Sequence, residues 1–139
     1  MYIFALSIYC LYNNTMTKIA IIEDDPVINQ MYRMKFEAEG FDVQMADDGA
    51  SGVALVKAFS PDIILLDLQM PNMNGTEALG AIRKQDWGAN IPVMILTNLG
   101  EEEAPDELKQ LNVAKYIVKA EMTPKQVVAS VIETLELKD

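Results

Sequence analysis

The chain contains no histidine and only one cysteine, Cys10, among 139 residues. The missing histidine removes Ser/His and Cys/His nucleophiles, His-ligated metals and any phosphohistidine of the chain's own. The lone cysteine permits no internal disulfide, which suits a reducing compartment and leads us to expect a cytoplasmic protein. Positive charge is also scarce: 11 basic residues face 21 acidic ones, a formal net charge of −10. Nucleic-acid phosphates need a positive face, so direct binding to them is not expected. Long apolar runs are few, and the most apolar stretch, Met1 to Tyr12, is broken only by Ser7. It is shorter than the roughly 20 apolar residues that cross a bilayer, so no membrane association is expected. No Lys or Arg precedes it and no small-residue cleavage site follows, unlike a secretory signal. Residues 1–16 read as an apolar N-terminal extension, with Met16 as the true start and the residues before it upstream of it. The competing reading is an apolar tail that packs on the domain or on a second copy.

Half of the residues are apolar, enough for one domain with a single core over residues 17–139. The stretch Asp62 to Gly75 organises that domain. Its first part, Ile63 to Leu66, is continuously apolar, as in a central strand covered on both faces. It stops on the carboxylate of Asp67. Pro71, Asn72, Asn74 and Gly75 then enforce a loop through fixed φ, side-chain turn bonds and tolerance of positive φ.

Around it, strand and helix alternate. Lys18–Ile22 is a short strand followed at once by Glu23-Asp24-Asp25. Asp25-Pro26 starts a helix to about Glu39, ended by Gly40, with Val27, Ile28 and Met31 expected to face the core. Phe41, Val43 and Met45 alternate with polar residues, as in a half-exposed edge strand. A second helix is expected over 50–59 and a third over 76–84. A strand over 91–96 ends on Thr97. A fourth helix is expected from Pro105 to Leu111, and the last strand, 115–118, ends on Lys119. Thr123-Pro124-Lys125-Gln126 forms a capping box that opens a final helix to about Leu137. Five strand–helix alternations predict an α/β, doubly wound, parallel sheet with helices on both faces.

In such a sheet the strand ends share one edge, where ligands bind. Glu23, Asp24, Asp67, Thr97 and Lys119 therefore converge on one crevice. Carboxylates about 5 Å apart repel by about 3 kcal/mol per pair at an effective dielectric near 20. One lysine offsets part of this, and a divalent cation would offset more. An all-oxygen donor set without Cys or His selects a hard ion such as Mg²⁺. That arrangement suits phosphoryl transfer, with a carboxylate as nucleophile. Asp67 is the best candidate, since it sits between the acidic pair and the Thr97 and Lys119 strands.

Glu23-Asp24, Asp67 within LLDLQMP, Thr97, Tyr116 and Lys119, in that order and at these separations, resemble the response-regulator receiver domain over residues 17–139. The resemblance implies a flavodoxin-like five-stranded sheet of order 2-1-3-4-5. It implies Asp67 as phosphoacceptor, with Thr97 and Lys119 acting on the phosphoryl group. Mg²⁺ would be held by Asp24, Asp67 and the Gln69 main-chain carbonyl, with Glu23 acting through water. Thr97 and Tyr116 would form a switch that re-shapes the surface of the fourth helix, last strand and last helix. The donor would be a histidine kinase or histidine phosphotransfer protein. The output would be a downstream protein target that the sequence does not name, and the state a monomer or a phosphorylation-dependent dimer. Two residues depart from the family pattern. Asn98 stands where a small residue usually follows the threonine. Ala120 stands where a proline usually follows the lysine, so a trans bond is expected there. The rival readings are a Mg²⁺-dependent aspartyl-phosphate phosphohydrolase and a receiver-like module that binds partners without phosphorylation. Gln69 stands where many such hydrolases carry a second acid, which counts against the first. The complete acidic, hydroxyl and lysine set counts against the second.

Overall fold

The computed structural model describes residues 16–138, so the apolar segment ahead of Met16 lies outside the described residues. Five strands, β1 (Lys18–Ile22), β2 (Asp42–Ala46), β3 (Ile63–Leu66), β4 (Val93–Thr97) and β5 (Lys115–Val118), form one parallel sheet. Their order is β2-β1-β3-β4-β5, as expected. Three α-helices connect the first four strands, α1 (Pro26–Ala38), α2 (Gly49–Phe59) and α3 (Gly75–Arg83), and α4 (Pro124–Lys138) follows β5.

The apolar strands owe their runs to burial on both faces. Ile19, Ile21, Ile63, Leu65, Met94 and Leu96 pack with Tyr32 and Phe36 of α1 and Val127 and Val131 of α4. The alternate residues Ala20, Ile22, Ile64, Leu66 and Ile95 pack with Val56 and Phe59 of α2 and Leu79 and Ile82 of α3. Each fully buried Ile, Leu or Phe contributes roughly 1.5–3 kcal/mol. Side-chain caps fix the helix starts. Asp25 accepts the Val27 and Ile28 amides, Asp48 accepts the Ser51 amide, and Asn74 with Glu77 forms a capping box. Thr123 and Gln126 exchange the bonds of the expected box at α4 (2.9 and 3.2 Å). Gly40, at φ +94°, stops α1 as read from the sequence.

Two expectations are corrected. Val27 is 77% exposed rather than core-facing. It lies in the first turn of α1, next to the acidic turn that follows β1, and about 100° round the helix from Ile28. Ile28, Tyr32 and Phe36, spaced i, i+4, i+8, carry the inner face instead. No fourth α-helix forms between β4 and β5. Glu101–Glu103 and Asp106–Gln110 are two short 3-10 turns separated by Ala104 and Pro105. Pro105 interrupts the amide ladder, neither fragment is long enough to offset helix nucleation, and only Leu108 in them is buried.

Candidate functional site

Three strand ends and one loop build an acidic crevice at the carboxyl edge of the sheet. β1 ends at Ile22, so Glu23 is carried just past it and buried, while Asp24 turns out to solvent. Glu23 is held from both sides: its Oε2 accepts the Asp25 amide (3.0 Å), and its main-chain carbonyl accepts Asn29 Nδ2 (3.0 Å). Asp67 follows β3 directly and is 6% exposed. Its Oδ1 accepts the Gln69 amide (3.1 Å), which tightens the turn out of the strand. Gly75 closes that loop on Leu68 (N–H to O, 3.1 Å). A Cβ at Gly75 would lie 2.8 Å from Leu68 Cα and closer still to the Asp67 carbonyl, so only glycine fits this approach.

Lys119, the first residue past β5, reaches across the sheet edge. Its ammonium pairs with Glu23 Oε1 and with Asp67 Oδ2 (3.2 Å). Burial alone would lower the Lys119 pKa, but Glu23 and Asp67 more than reverse this and hold it above its usual value. Burial pushes the Glu23 carboxyl up, against the opposing pull of Lys119 and of the Asp25 amide. The Lys119 direction fits one ammonium facing a surplus of carboxylates. Single carboxylate oxygens of Glu23, Asp24 and Asp67 lie within 4.8 Å of one another. One ion could touch all three, and a donor set of oxygens alone fits a hard divalent cation.

Thr97, the last residue of β4, is fully buried, and its Oγ1 accepts the Leu99 amide (3.4 Å). Tyr116 in β5 is half-buried, and its hydroxyl donates to the Leu99 carbonyl (2.8 Å) and less closely to that of Gly100 (3.4 Å). Leu99 therefore joins the two residues assigned to the switch. Burial, and then Glu101 and Glu103, raise the Tyr116 pKa. Asn98 and Gln69 are exposed at the rim. The Lys119–Ala120 bond is trans, and Lys119–Glu121 winds into a 3-10 turn. Sequence reasoning missed Tyr32. Buried on α1, it packs beside Glu23 and Asp67 together with Leu96. Its only signal was an aromatic at an inward helical position, which is indistinguishable from core.

The protein-family model described as the response regulator receiver domain matches residues 19–132. The chain belongs to that family. As a receiver domain it is a phosphoacceptor signalling domain of two-component systems. It is 33% identical over 106 residues to protein PilH of Pseudomonas aeruginosa, covering 75% of this chain and 86% of PilH. It is 42% identical over 86 residues to the DNA-binding dual master transcriptional regulator RpaA of Synechocystis, covering 62% of this chain and 36% of RpaA. The receiver domain thus spans about a third of that regulator's length. Among solved structures, chemotaxis protein CheY4 of Vibrio cholerae superposes with a TM-score of 0.79 at 27% identity, covering 86% of this chain and 99% of CheY4. Among the described residues, no helix is long and apolar enough to cross a membrane.

Proposed function

We propose that Asp67 is the phosphoacceptor, and that Glu23, Asp24, Thr97 and Lys119 serve its reaction. One observation carries this reading: a single ammonium bridges Asp67 and Glu23 where three carboxylates approach within 4.8 Å. An Oδ of Asp67 attacks phosphorus. The Oδ–P bond forms as the N–P bond of a donor phosphoimidazole breaks, and its electron pair leaves with the imidazole. Lys119 is already in place to pair with the incoming phosphoryl oxygens, and Thr97 lies on the neighbouring strand end to donate its hydroxyl. Mg²⁺ would be held by Asp24, Asp67 and the Gln69 main-chain carbonyl, with Glu23 acting through water. Neutralising charge on the transferred oxygens is the chemistry such an ion supplies.

The donor histidine lies outside these residues, which contain none, and belongs to a histidine kinase or histidine phosphotransfer protein. The output leaves through the Leu99 junction to Tyr116, re-shaping the face of the 3-10 turns, β5 and α4 towards a downstream protein. Phosphoramidate, a small donor with an N–P bond, tests the reaction. With Mg²⁺ it should add one acid-stable, alkali-labile phosphoryl group, and excess chelator should abolish the addition. Addition that is indifferent to chelation would refute the metal assignment, and no addition would refute the acceptor assignment.

A further inference from the structure

The two 3-10 turns between β4 and β5 leave α3 with an open flank. A groove of about 610 Å³ runs between them, bordered by Glu77, Gly80 and Ala81 of α3, by Lys84 just past its end, and by Glu107 and Gln110 opposite. Gly80 stands in the interior of α3, where glycine is disfavoured against alanine. Nothing inside the molecule requires it, since a Cβ added there meets no atom within 4 Å. The other two glycines of this region, Gly75 and Gly88, are both forced by close main-chain neighbours.

The charges along this flank are self-complementary. Glu77 and Lys84 are seven residues apart, hence on one side of α3 and about 10.5 Å apart along its axis. Their midpoint falls between Gly80 and Ala81. A two-fold axis through that point lays two α3 helices antiparallel and sets each Glu77 opposite the other copy's Lys84. The small residues at the crossing let the backbones approach closely. The groove borders carry one base and two acids, so this flank is nearly neutral on a molecule of net charge −10. Self-repulsion across this flank is therefore small.

We propose that the groove is the docking face for a second copy of this chain, in an isologous α3–α3 dimer centred on Gly80 and Ala81. This does not rest on the phosphoacceptor reading, because none of the six bordering residues belongs to the acidic crevice. Charge reversal with the full chain tests it by sedimentation equilibrium. Glu77→Lys alone sets Lys against Lys84, and Lys84→Glu alone sets Glu77 against Glu. Each should weaken the dimer by about tenfold. The double variant Glu77→Lys/Lys84→Glu restores opposite pairs and should recover dimerisation, even though it loses the Glu77 capping bond. Gly80→Leu should give a monomer, with phosphorylation at Asp67 unchanged. A wild type that stays monomeric at every concentration would overturn the proposal. So would a dimer that survives Gly80→Leu, or single reversals that the double variant fails to rescue.

Discussion

Replacing Lys119 by methionine removes the ammonium and keeps most of the stem's volume. The carboxylate oxygens of Glu23, Asp24 and Asp67 lie within 4.8 Å of one another, so each charged pair repels by roughly 3.5 kcal/mol at an effective dielectric near 20. Lys119 sits 3.2 Å from Asp67, a gross attraction of roughly 5 kcal/mol on the same scale. Desolvation cancels much of that. Losing one partner of a buried pair costs about 3–5 kcal/mol in measured cases. The Lys119 side chain keeps 12% exposure, so the low end, about 3 kcal/mol, is expected. For a domain of this size that corresponds to a Tm roughly 10 °C below wild type in chelator. Mg²⁺ at a hundred times its Kd adds about 2.7 kcal/mol, and the variant, with its crevice uncompensated, should bind the ion more tightly than wild type. The gap in Tm should therefore narrow as Mg²⁺ is added. Scanning calorimetry of both proteins in chelator and in Mg²⁺ reads this directly. Equal Tm values in chelator, or a gap that does not respond to Mg²⁺, would refute the electrostatic account.

Three further outcomes follow from the same geometry. Because burial raises the Glu23 pKa in the fold, the folded state binds that proton more readily than the unfolded chain. The group's contribution is thus fully present below the unfolded value and lost as pH rises through the folded one. In metal-free buffer, Glu23→Gln should gain on wild type in urea melts as pH rises from 4 to 7, and a constant difference would contradict this. Gly75→Ala forces a methyl against Leu68 and the Asp67 carbonyl, costing about 1–3 kcal/mol. Urea denaturation should show a lower midpoint, and an unchanged midpoint would remove the tight loop from the argument. Tyr116→Phe deletes the 2.8 Å bond to the Leu99 carbonyl, worth about 1 kcal/mol. Amide hydrogen exchange over residues 98–104 should quicken, and unchanged exchange would deny Tyr116 its hold on that segment.

The sheet was readable because burial on both faces leaves an unmistakable apolar run, and because helix caps such as Asp25 and Thr123 are local chemistry. The crevice was readable for a different reason: parallel strands bring their carboxyl ends to one edge wherever they lie in the chain. What escaped depended on tertiary context. Val27 is apolar yet lies at the end of α1 beside the solvent-facing acidic turn. The segment after Thr97 has helix-forming residues, but Pro105 splits it into pieces too short to propagate. Arg83 carried no sequence signal, yet its guanidinium donates to the carbonyls of Leu111 (2.8 Å), Gly88 (2.9 Å), Ile91 (2.7 Å) and Asn112 (3.0 Å) and pins two loops together. No periodicity announces such a role, because its acceptors are main-chain atoms distant in sequence.

Intact mass after incubation with acetyl phosphate and Mg²⁺, on wild type and on Asp67→Asn, decides whether Asp67 takes the phosphoryl group. A single phosphoryl adduct on wild type and none on the variant is the predicted result. An adduct of equal yield on both would place the acceptor elsewhere and contradict the account.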